Sequence, residues 1–505
     1  MKYLSLLIVF ISFSFNAFTQ ASLVRDINPG ANPSYITSIV ELNGKAFVAA
    51  SNGTVSGLFR SNGTSSGTVL ITDSTASDLV GELTSSGAFL AWRGRALAGS
   101  GSWPWSSDGN NLTHLVSNIS YPQSFAVHNG IVYFAGNTFD EGYEPWRTDG
   151  TPAGTYMLQN IPGAGFGNTI SPADFVSHSD GFLYFLSHSL NATCSLWKSD
   201  GTTSGTFKVI DIPYASKLSS AGNKLYFLAS PTLGPFDDYE LWASDGTAAG
   251  TALVKNINPT GYSNIDRRIA FNNKLYFQAT DGTNGVEFWV SDGTEAGTFM
   301  VADINPTGNG NFFPIGILAD ELFFSSNDGV NGILLFKFNP TSNLITMVKD
   351  FDNTSTSGGV LGAGVVFYGK LFFGASDNSN GYELWSTNGT TAGTNMVSNI
   401  NETGDSFPMN LCVAGKRLFF SADNGVNGLE LWKYEDPANP PCTDTLNLSG
   451  IANNDLYEAN LQINSTATIP VKPNFTTYLS EAIILNPGFK TNNGAKFLAQ
   501  IGGCN

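Results

Sequence analysis

The stretch ELWASDGTAAGT, residues 240–251, contains the residue types that an active-site loop would use. Asp245 supplies a carboxylate that could act as a general base, and Thr247 supplies a neighbouring hydroxyl. The same residues are also typical of a tight turn, because an Asp side chain accepts hydrogen bonds from nearby backbone N–H groups and the following glycine tolerates positive φ. The two interpretations differ in whether Asp245 reacts or only holds the chain in shape.

The stretch recurs along the chain, and successive copies lie 41 to 51 residues apart. The central aromatic residues of the nine copies are Phe59, Trp105, Trp146, Trp197, Trp242, Trp289, Phe336, Trp385 and Trp432. The copies at Trp105 and Phe336 are eroded, and the copy at Trp432 is cut short. A period in the forties is typical of a repeat array or a β-propeller.

The Asp of the motif is replaced in some copies without loss of the surrounding pattern. It is present as Asp149, Asp200, Asp245 and Asp292, whereas Asn62 and Asn388 take its place in two others. Asn cannot act as a general base, so the substitution favours a turn, which such side-chain bonds stabilise by about 1 kcal/mol. We therefore assign no catalytic residue to the motif.

Each repeat divides into four short segments that are rich in Val, Ile, Phe and Tyr and bounded by Gly, Asn or Asp, as β-strands are. The repeats show no sustained helical period in their apolar residues, so we expect almost no helix. Four antiparallel strands per repeat describe one blade of a propeller. The expected fold is an all-β β-propeller of nine four-stranded blades, or of eight if one eroded copy is displaced from the ring.

The two ends of the array complement each other. The last copy, at Trp432, lacks a fourth strand and runs into the segment DPANPP. Residues 22–27, SLVRDI, are similar to the fourth strands of other copies, such as LVKNI at Leu253. We expect this N-terminal strand to complete the last blade and close the ring, which removes the exposed edges of an open array.

The Trp and the Glu two residues before it share one face of their strand, because side chains alternate. We expect the Trp to pack between blades and the Glu to reach a lysine on the adjacent strand, such as Lys224, Lys274 or Lys370. A ring of carboxylates around a central channel, able to bind a cation, is the alternative. The glutamates are Glu144, Glu240, Glu287, Glu383 and Glu430.

Other patterns that could carry chemistry have simpler explanations. The loops 281–285, 328–332, 377–381 and 423–428 cluster oxygens that Ca²⁺ could use, but they lack EF-hand spacing and are interpreted as hairpins. The GTSSG at 63–67 and the GAGFG at 163–167 lie in loops of the repeat, with no helix following. No metal spacing joins His114, His128, His178 and His188. We expect no cofactor, with Ca²⁺ as the one candidate.

The bulk properties limit the partners. The chain carries 24 Lys and Arg against 41 Asp and Glu, a formal net charge of −17, so nucleic acid and anionic membranes would be repelled. Residues 1–20 have the positive start, apolar core and small-residue end of a signal peptide, and no later segment has the length of a membrane span. We expect a secreted or outer-surface protein that is a monomer.

The expected domains are a signal peptide at 1–20, the propeller at 21–435, a proline-rich linker at 436–441 and a small β-domain at 442–505. Cys442 and Cys504 bracket the small domain and are candidates for a disulfide in an oxidising compartment. Cys194 and Cys412 are expected to be buried, unpaired thiols.

The phrase ELWxSDGTxxGT, followed by V-x-D/N-I, resembles the ELWxxDGT repeat family of bacterial secreted and surface proteins over residues 22–435. The tail, with AIILNPGF and then NGAKFLAQIGGC, is similar to the three-coathanger stack domain of exported Bacteroidetes proteins. Both resemblances imply export and an extracellular setting, and neither implies a catalytic activity.

These observations predict a non-enzymatic binding or adhesion protein whose propeller faces bind a glycan or a surface protein. Affinity would lie in loops that depart from the repeat, such as residues 189–193 and 230–238. The alternative is a secreted carbohydrate-active hydrolase or lyase, which would need two repeat-breaking carboxylates about 5–10 Å apart.

Overall fold

The computed structural model describes residues 21–72, 79–95, 101–138, 140–161, 172–188, 193–230, 239–351, 359–377 and 379–438, together with seven strands beyond residue 442. The expected signal peptide, Cys442, Cys504, the GAGFG loop and most of the two variable loops lie outside the described residues. Within the described ranges all regular secondary structure is β-strand, and no helix there is long and apolar enough to cross a membrane.

The strands are numbered in chain order, and β1 is Ser22–Arg25. Blades 1 to 3 contain β2 Ser38–Leu42, β3 Lys45–Ser51, β4 Ser56–Ser61, β5 Val69–Leu70, β6 Leu79–Ser85, β7 Leu90–Arg95, β8 Ser102–Ser107, β9 Leu112–His114, β10 Ser120–His128, β11 Ile131–Thr138, β12 Gly142–Thr148 and β13 Tyr156–Met157. Blades 4 to 6 contain β14 Ala173–Ser177, β15 Leu183–His188, β16 Thr193–Ser199, β17 Thr206–Pro213, β18 Ser216–Ala221, β19 Lys224–Ala229, β20 Glu240–Ser244, β21 Ala252–Lys255, β22 Asp266–Phe271, β23 Lys274–Ala279, β24 Glu287–Ser291 and β25 Phe299–Ala302. Blades 7 to 9 contain β26 Phe313–Leu318, β27 Glu321–Asn327, β28 Ile333–Asn339, β29 Leu344–Lys349, β30 Gly359–Phe367, β31 Lys370–Ser376, β32 Tyr382–Thr387, β33 Asn395–Ser398, β34 Met409–Ala414, β35 Arg417–Asp423 and β36 Leu429–Tyr434.

The molecule contains nine four-stranded antiparallel sheets, and each of the first eight is built from four consecutive strands. The expectation of a nine-bladed propeller is therefore confirmed. Both eroded copies of the repeat form complete blades: the copy at Trp105 is blade 2 and the copy at Phe336 is blade 7. The eight-bladed alternative is wrong, because loss of the DGT motif did not remove the strand pairing.

The first strand of each blade lies innermost, where it contacts the first strands of both neighbouring blades all the way round the ring. Most of these inner strands carry an irregularity in their pairing with the second strand, for example between Asp266 and Ile269 in β22 and between Met409 and Cys412 in β34. Such bulges increase the local twist of a strand, and they bend it where the blades converge on the axis.

The ninth blade has the order β1-β36-β35-β34, so its outer strand comes from the N-terminus. β1 pairs antiparallel with β36, and Leu23 lies opposite Trp432. The predicted closure of the ring by the N-terminal strand is confirmed.

The hydrophobic core is divided into layers between neighbouring blades. One layer joins Leu241 of blade 5 to Phe277 and Trp289 of blade 6, and another joins Phe351 of blade 7 to Trp385 of blade 8. Because each blade is covered on both faces, its second strand is apolar without alternation, and in β19 every residue except Lys224 is buried. The predicted packing of the repeat tryptophans between blades is confirmed.

The cysteines within the propeller are free, Cys194 buried and Cys412 partly buried. Beyond residue 442 the described strands are β37 Thr443–Leu448, β38 Leu456–Ser465, β39 Thr468–Ile469, β40 Thr476–Ser480, β41 Ala482–Leu485, β42 Lys490–Thr491 and β43 Phe497–Ile501. Their pairs are parallel, as in β37 with β38 and β40 with β43.

Candidate functional site

The Asp–Gly–Thr motif forms a closed hydrogen-bond network that ends the third strand of its blade. Asp245 Oδ1 accepts from the N–H of Thr247 at 3.0 Å and from its hydroxyl at 2.7 Å. Thr247 Oγ1 accepts from Gly250 N at 3.0 Å, and the Thr247 carbonyl accepts from the Thr251 hydroxyl at 2.7 Å. The pKa of Asp245 lies below its usual value, and the largest cause is the hydrogen bond from the Thr247 hydroxyl. A lowered pKa makes Asp245 a poor general base.

Asn occupies the Asp position without changing the turn. Asn388 Oδ1 accepts from the N–H and the hydroxyl of Thr390 at 3.1 and 2.8 Å, and Asn62 bonds to Thr64 in the same way. The GTSSG segment at 63–67, which resembles a nucleophile motif, is part of the turn at Asn62. Its central serine, Ser65, is therefore a turn residue. These contacts confirm the structural interpretation of the motif.

The glycine of the motif is required by the packing of neighbouring blades. Gly246 has φ +84°, and a Cβ there would lie 2.1 Å from the hydroxyl of Tyr184 in the preceding blade. Gly201 faces Tyr133 in the same manner, with a distance of 2.6 Å to the hydroxyl. The motif therefore docks each blade against the previous one as well as turning its own chain.

The repeat glutamates bind the segment that leads to the next blade, which we call the connector. Glu383 Oε2 accepts from Ile400 N at 2.7 Å and from the Ser406 hydroxyl at 2.8 Å, and Oε1 accepts from Asn401 N at 3.1 Å. Glu287 and Glu430 accept the corresponding connector amides at 2.8 and 2.7 Å. The five glutamates are 0 to 1% exposed: Glu144, Glu240, Glu287, Glu383 and Glu430.

The predicted pairing of these glutamates with lysines is wrong. Glu240 lies opposite Ala229 in the antiparallel pair of β20 and β19, so Lys224, at the other end of β19, is five residues or about 17 Å away. Lys224 instead lies near Asp245 and lowers the pKa of that carboxyl, after the larger effect of Thr247. The alternative, a ring of carboxylates around a channel, is also wrong, because the glutamates are on third strands and the first strands surround the axis.

The loops ahead of the Trp strand are hairpins closed by their own side chains. Asp281 Oδ1 accepts from Thr283 N at 2.8 Å and from Asn284 N at 2.9 Å, while its Oδ2 accepts from Asn284 Nδ2 at 2.8 Å. Asp328 makes the corresponding bonds to Val330 and Asn331. The carboxylate oxygens that suggested Ca²⁺ are therefore occupied by the loop itself.

Two of the histidines join neighbouring blades. His128 Nδ1 bonds the Ser177 hydroxyl at 2.8 Å, and His178 Nδ1 bonds the Ser220 hydroxyl at 2.8 Å. In the described parts of the chain, no group of three or more His, Cys, Asp or Glu side chains is placed to hold a metal ion.

The two ends of the propeller differ in their exposed aromatic residues. We call the end with the connectors and the loops between second and third strands the connector face, and the opposite end, with the DGT turns, the turn face. Exposed aromatic side chains of the connector face are Tyr35, Tyr121, Tyr262 and Phe407, at 66, 48, 41 and 42%. Partly buried tyrosines beside them are Tyr143, Tyr214, Tyr239 and Tyr382. Away from the connector face, the described aromatic residues of comparable exposure are Tyr368 on the turn face and Phe207 and Phe299 on outer strands just after DGT turns, at 42, 50 and 43%.

Sequence reasoning missed these aromatic residues, although part of the pattern is visible. Tyr143, Tyr239 and Tyr382 each directly precede the repeat glutamate. The ring of Tyr382 stacks on Phe407 with centroids 5.7 Å apart and an interplanar angle of 20°. The variable loops that were expected to carry affinity contribute only their ends, Ser230 and Thr193, to the described residues.

A second feature of the connector face is a cleft of about 420 Å³ at blade 3, lined by Ser120, Met157 and the repeat-breaking acids Asp140 and Glu141. Glu141 accepts from Asn160 Nδ2 at 2.9 Å. Burial raises the pKa of the nearby Glu144 to about 8, and Glu141 adds to the effect. In this cleft, a carboxylate that departs from the repeat approaches a carboxyl with a raised pKa.

Comparison with protein-family models and with curated proteins returns no match. Similar solved structures include a puromycin hydrolase, at 13% identity and a TM-score of 0.40 over 75% of this chain and 56% of that one. An oligogalacturonate lyase in complex with manganese matches at 12% identity and a TM-score of 0.38, over 78% of this chain and 96% of that one. Oligopeptidase B from Leishmania major matches at 10% identity and a TM-score of 0.40, over 83% of this chain and 56% of that one. This chain thus spans about half the length of the hydrolase and of the oligopeptidase.

Replacing Asp245 by Asn is expected to leave stability unchanged, because Asn388 makes the same bonds, whereas Asp245→Ala should cost about 1 kcal/mol through loss of the Thr247 bonds. Urea denaturation of both variants measures the difference. Equal losses for Asn and Ala would contradict the turn assignment.

The contribution of the buried glutamates to stability is expected to be lost as the pH rises from about 4.5 to about 7. Burial raises the pKa of Glu383 from 4.5 to about 7 in the folded protein, so its contribution is complete below the unfolded pKa and is lost through this window. Glu383→Gln cannot lose a proton, and its urea midpoint should fall less over the same pH range. The exposed Glu295→Gln is the control; identical pH slopes for wild type and Glu383→Gln would refute the assignment.

Proposed function

We propose that this protein is an exported, non-enzymatic binding protein and that its connector face holds an extracellular ligand. The observation that carries the proposal is the grouping of exposed aromatic side chains, Tyr35, Tyr121, Tyr262 and Phe407, at that face. Aromatic rings combine a large apolar surface with few rotatable bonds, and they are enriched where proteins bind partners. The repeat carboxylates support the same proposal, because Asp245 and Glu383 serve as hydrogen-bond acceptors of the fold.

The resemblance to the ELWxxDGT repeat family, and of the tail to the three-coathanger stack domain, supports export and display at the outer surface. The signal-peptide pattern of residues 1–20 supports the same location. With a net charge of −17, the ligand is a glycan or a surface protein rather than nucleic acid. The tail then serves attachment or display, and the protein acts as a monomer.

A carbohydrate-active enzyme is the competing function. The similar solved structures are a puromycin hydrolase, an oligogalacturonate lyase and an oligopeptidase, so they give binding no support. At TM-scores of 0.40 and below, they transfer no activity to this chain either. The observation in the chain that favours an enzyme is the blade 3 cleft, which Asp140 and Glu141 line, because burial and the nearby Glu141 raise the pKa of Glu144 to about 8.

One experiment separates the two functions. The mature chain is tested for binding on a glycan array and on surface proteins, and the same polysaccharides are assayed for release of reducing ends or unsaturated products. We expect binding without cleavage. Cleavage that is lost in Glu141→Gln but retained in the exposed control Glu295→Gln would overturn the binding proposal.

A further inference from the structure

The connectors end in a backbone conformation that aromatic residues rarely adopt. Six residues at the start of an inner strand or within three residues before it have φ between 46 and 55°: Tyr35, Tyr121, Tyr214, Asn264, Asn311 and Phe407. Asn is enriched in this left-handed region, whereas bulky residues are uncommon there. The two Asn copies show that the fold does not need a ring at this position.

The aromatic copies do not repay this strain by filling the core. Each of the six is followed by a buried residue, such as Ile36 after Tyr35 and Pro408 after Phe407, and that residue supplies the packing. Tyr35 and Phe407 themselves remain 66 and 42% exposed. Exposed aromatic rings held in a strained backbone conformation point to selection for contact with something outside the chain.

The ring of Phe407 is held in a fixed orientation. Its N–H donates to the Tyr382 carbonyl at 3.2 Å, while the Tyr382 N–H donates to Asp405 Oδ1 at 2.7 Å. The two rings stack, and Tyr382 is anchored by the buried Glu383 that follows it. The result is a rigid pair of rings at the connector face between blades 8 and 9.

A second group of aromatic residues surrounds blade 5. Tyr239 precedes the buried Glu240 as Tyr382 precedes Glu383. Burial raises the pKa of Tyr239, and Tyr214 and Tyr262 lie close enough to raise it further. The same face thus presents aromatic residues in more than one sector of the ring, as a long, repeating ligand would require.

The charge around the rings restricts the ligand. Residues 377–408, which carry Tyr382 and Phe407, contain no Lys or Arg, and their acidic residues are Asp377, Glu383, Glu402 and Asp405. Residues 26–37, around Tyr35, also lack Lys and Arg. An anionic polysaccharide would meet like charge here, whereas the apolar C–H face of a neutral pyranose matches an aromatic ring.

We infer that the aromatic residues held in the left-handed backbone region of the connectors are stacking platforms for a neutral glycan. The principal contacts are Tyr35 and the stacked pair of Phe407 and Tyr382. The inference rests on the proposed binding function and names the ligand class and the residues that hold it. Neighbouring Asn, Thr and Asp side chains of the connectors are available to hydrogen-bond the sugar hydroxyls.

The test measures the affinity of the mature chain for immobilised neutral glycans, with uronate-containing and sulfated glycans as parallel arms. Tyr35→Asn and Phe407→Asn remove the rings while installing the residue that connectors already use at 264 and 311. Phe299→Ala, an exposed ring on an outer strand, is the control. Each Asn variant should weaken neutral-glycan binding about two- to tenfold, with an unchanged or higher denaturation midpoint, and the control should bind normally.

The outcomes separate the inference from the function on which it rests. Unchanged affinity in both Asn variants, or binding only to anionic glycans, would overturn the inference and leave the binding function standing. A protein ligand in place of any glycan would do the same. Cleavage of the glycan that depends on Glu141 would overturn the proposed function itself.

Discussion

Every blade of this protein must be covered on both faces, and the rest of the structure follows from that constraint. The second strands, such as β19 and β27, are buried along nearly their whole length because neither side meets water. An open array would leave the outermost blades with one uncovered face and an unpaired edge. Pairing of β1 with β36 removes both, and it ties the first described residues to the last blade.

The repeated motif serves this constraint at both ends of the blade. At the turn face, Asp245 closes a turn whose glycine packs against Tyr184 of the preceding blade. At the connector face, Glu383 holds the connector to the following blade through Ile400 and Asn401. A stretch that looks like an active-site loop in isolation is therefore the part that positions each blade against its neighbours.

The architecture could be predicted because its cause is periodic. The spacing of the aromatic residues and the replacement of Asp by Asn at positions 62 and 388 led to nine blades and a structural turn. The partner of the glutamate could not be predicted from strand neighbours, since it lies 17 residues further along in a connector. The Lys pairing could have been rejected, because in an antiparallel hairpin the starts of two successive strands lie at opposite ends.

The aromatic residues of the connector face escaped prediction for another reason. Connectors differ in length and sequence, and Asn264 occupies the place that Phe407 holds elsewhere, so no repeating letter marks the position. Only the backbone shows that these residues are equivalent. The positive φ that the connectors share belongs to the fold, whereas the presence of an aromatic residue at that position bears on the ligand.

Hydrogen exchange of the full mature chain, with and without a saturating neutral oligosaccharide, tests the central claim most directly. The account predicts slower exchange in the connector and loop that carry the rings, residues 379–383 and 399–408, with no change in the turns at 245–251 and 292–298. Protection confined to the turn face, or to the cleft around Glu141, would contradict it.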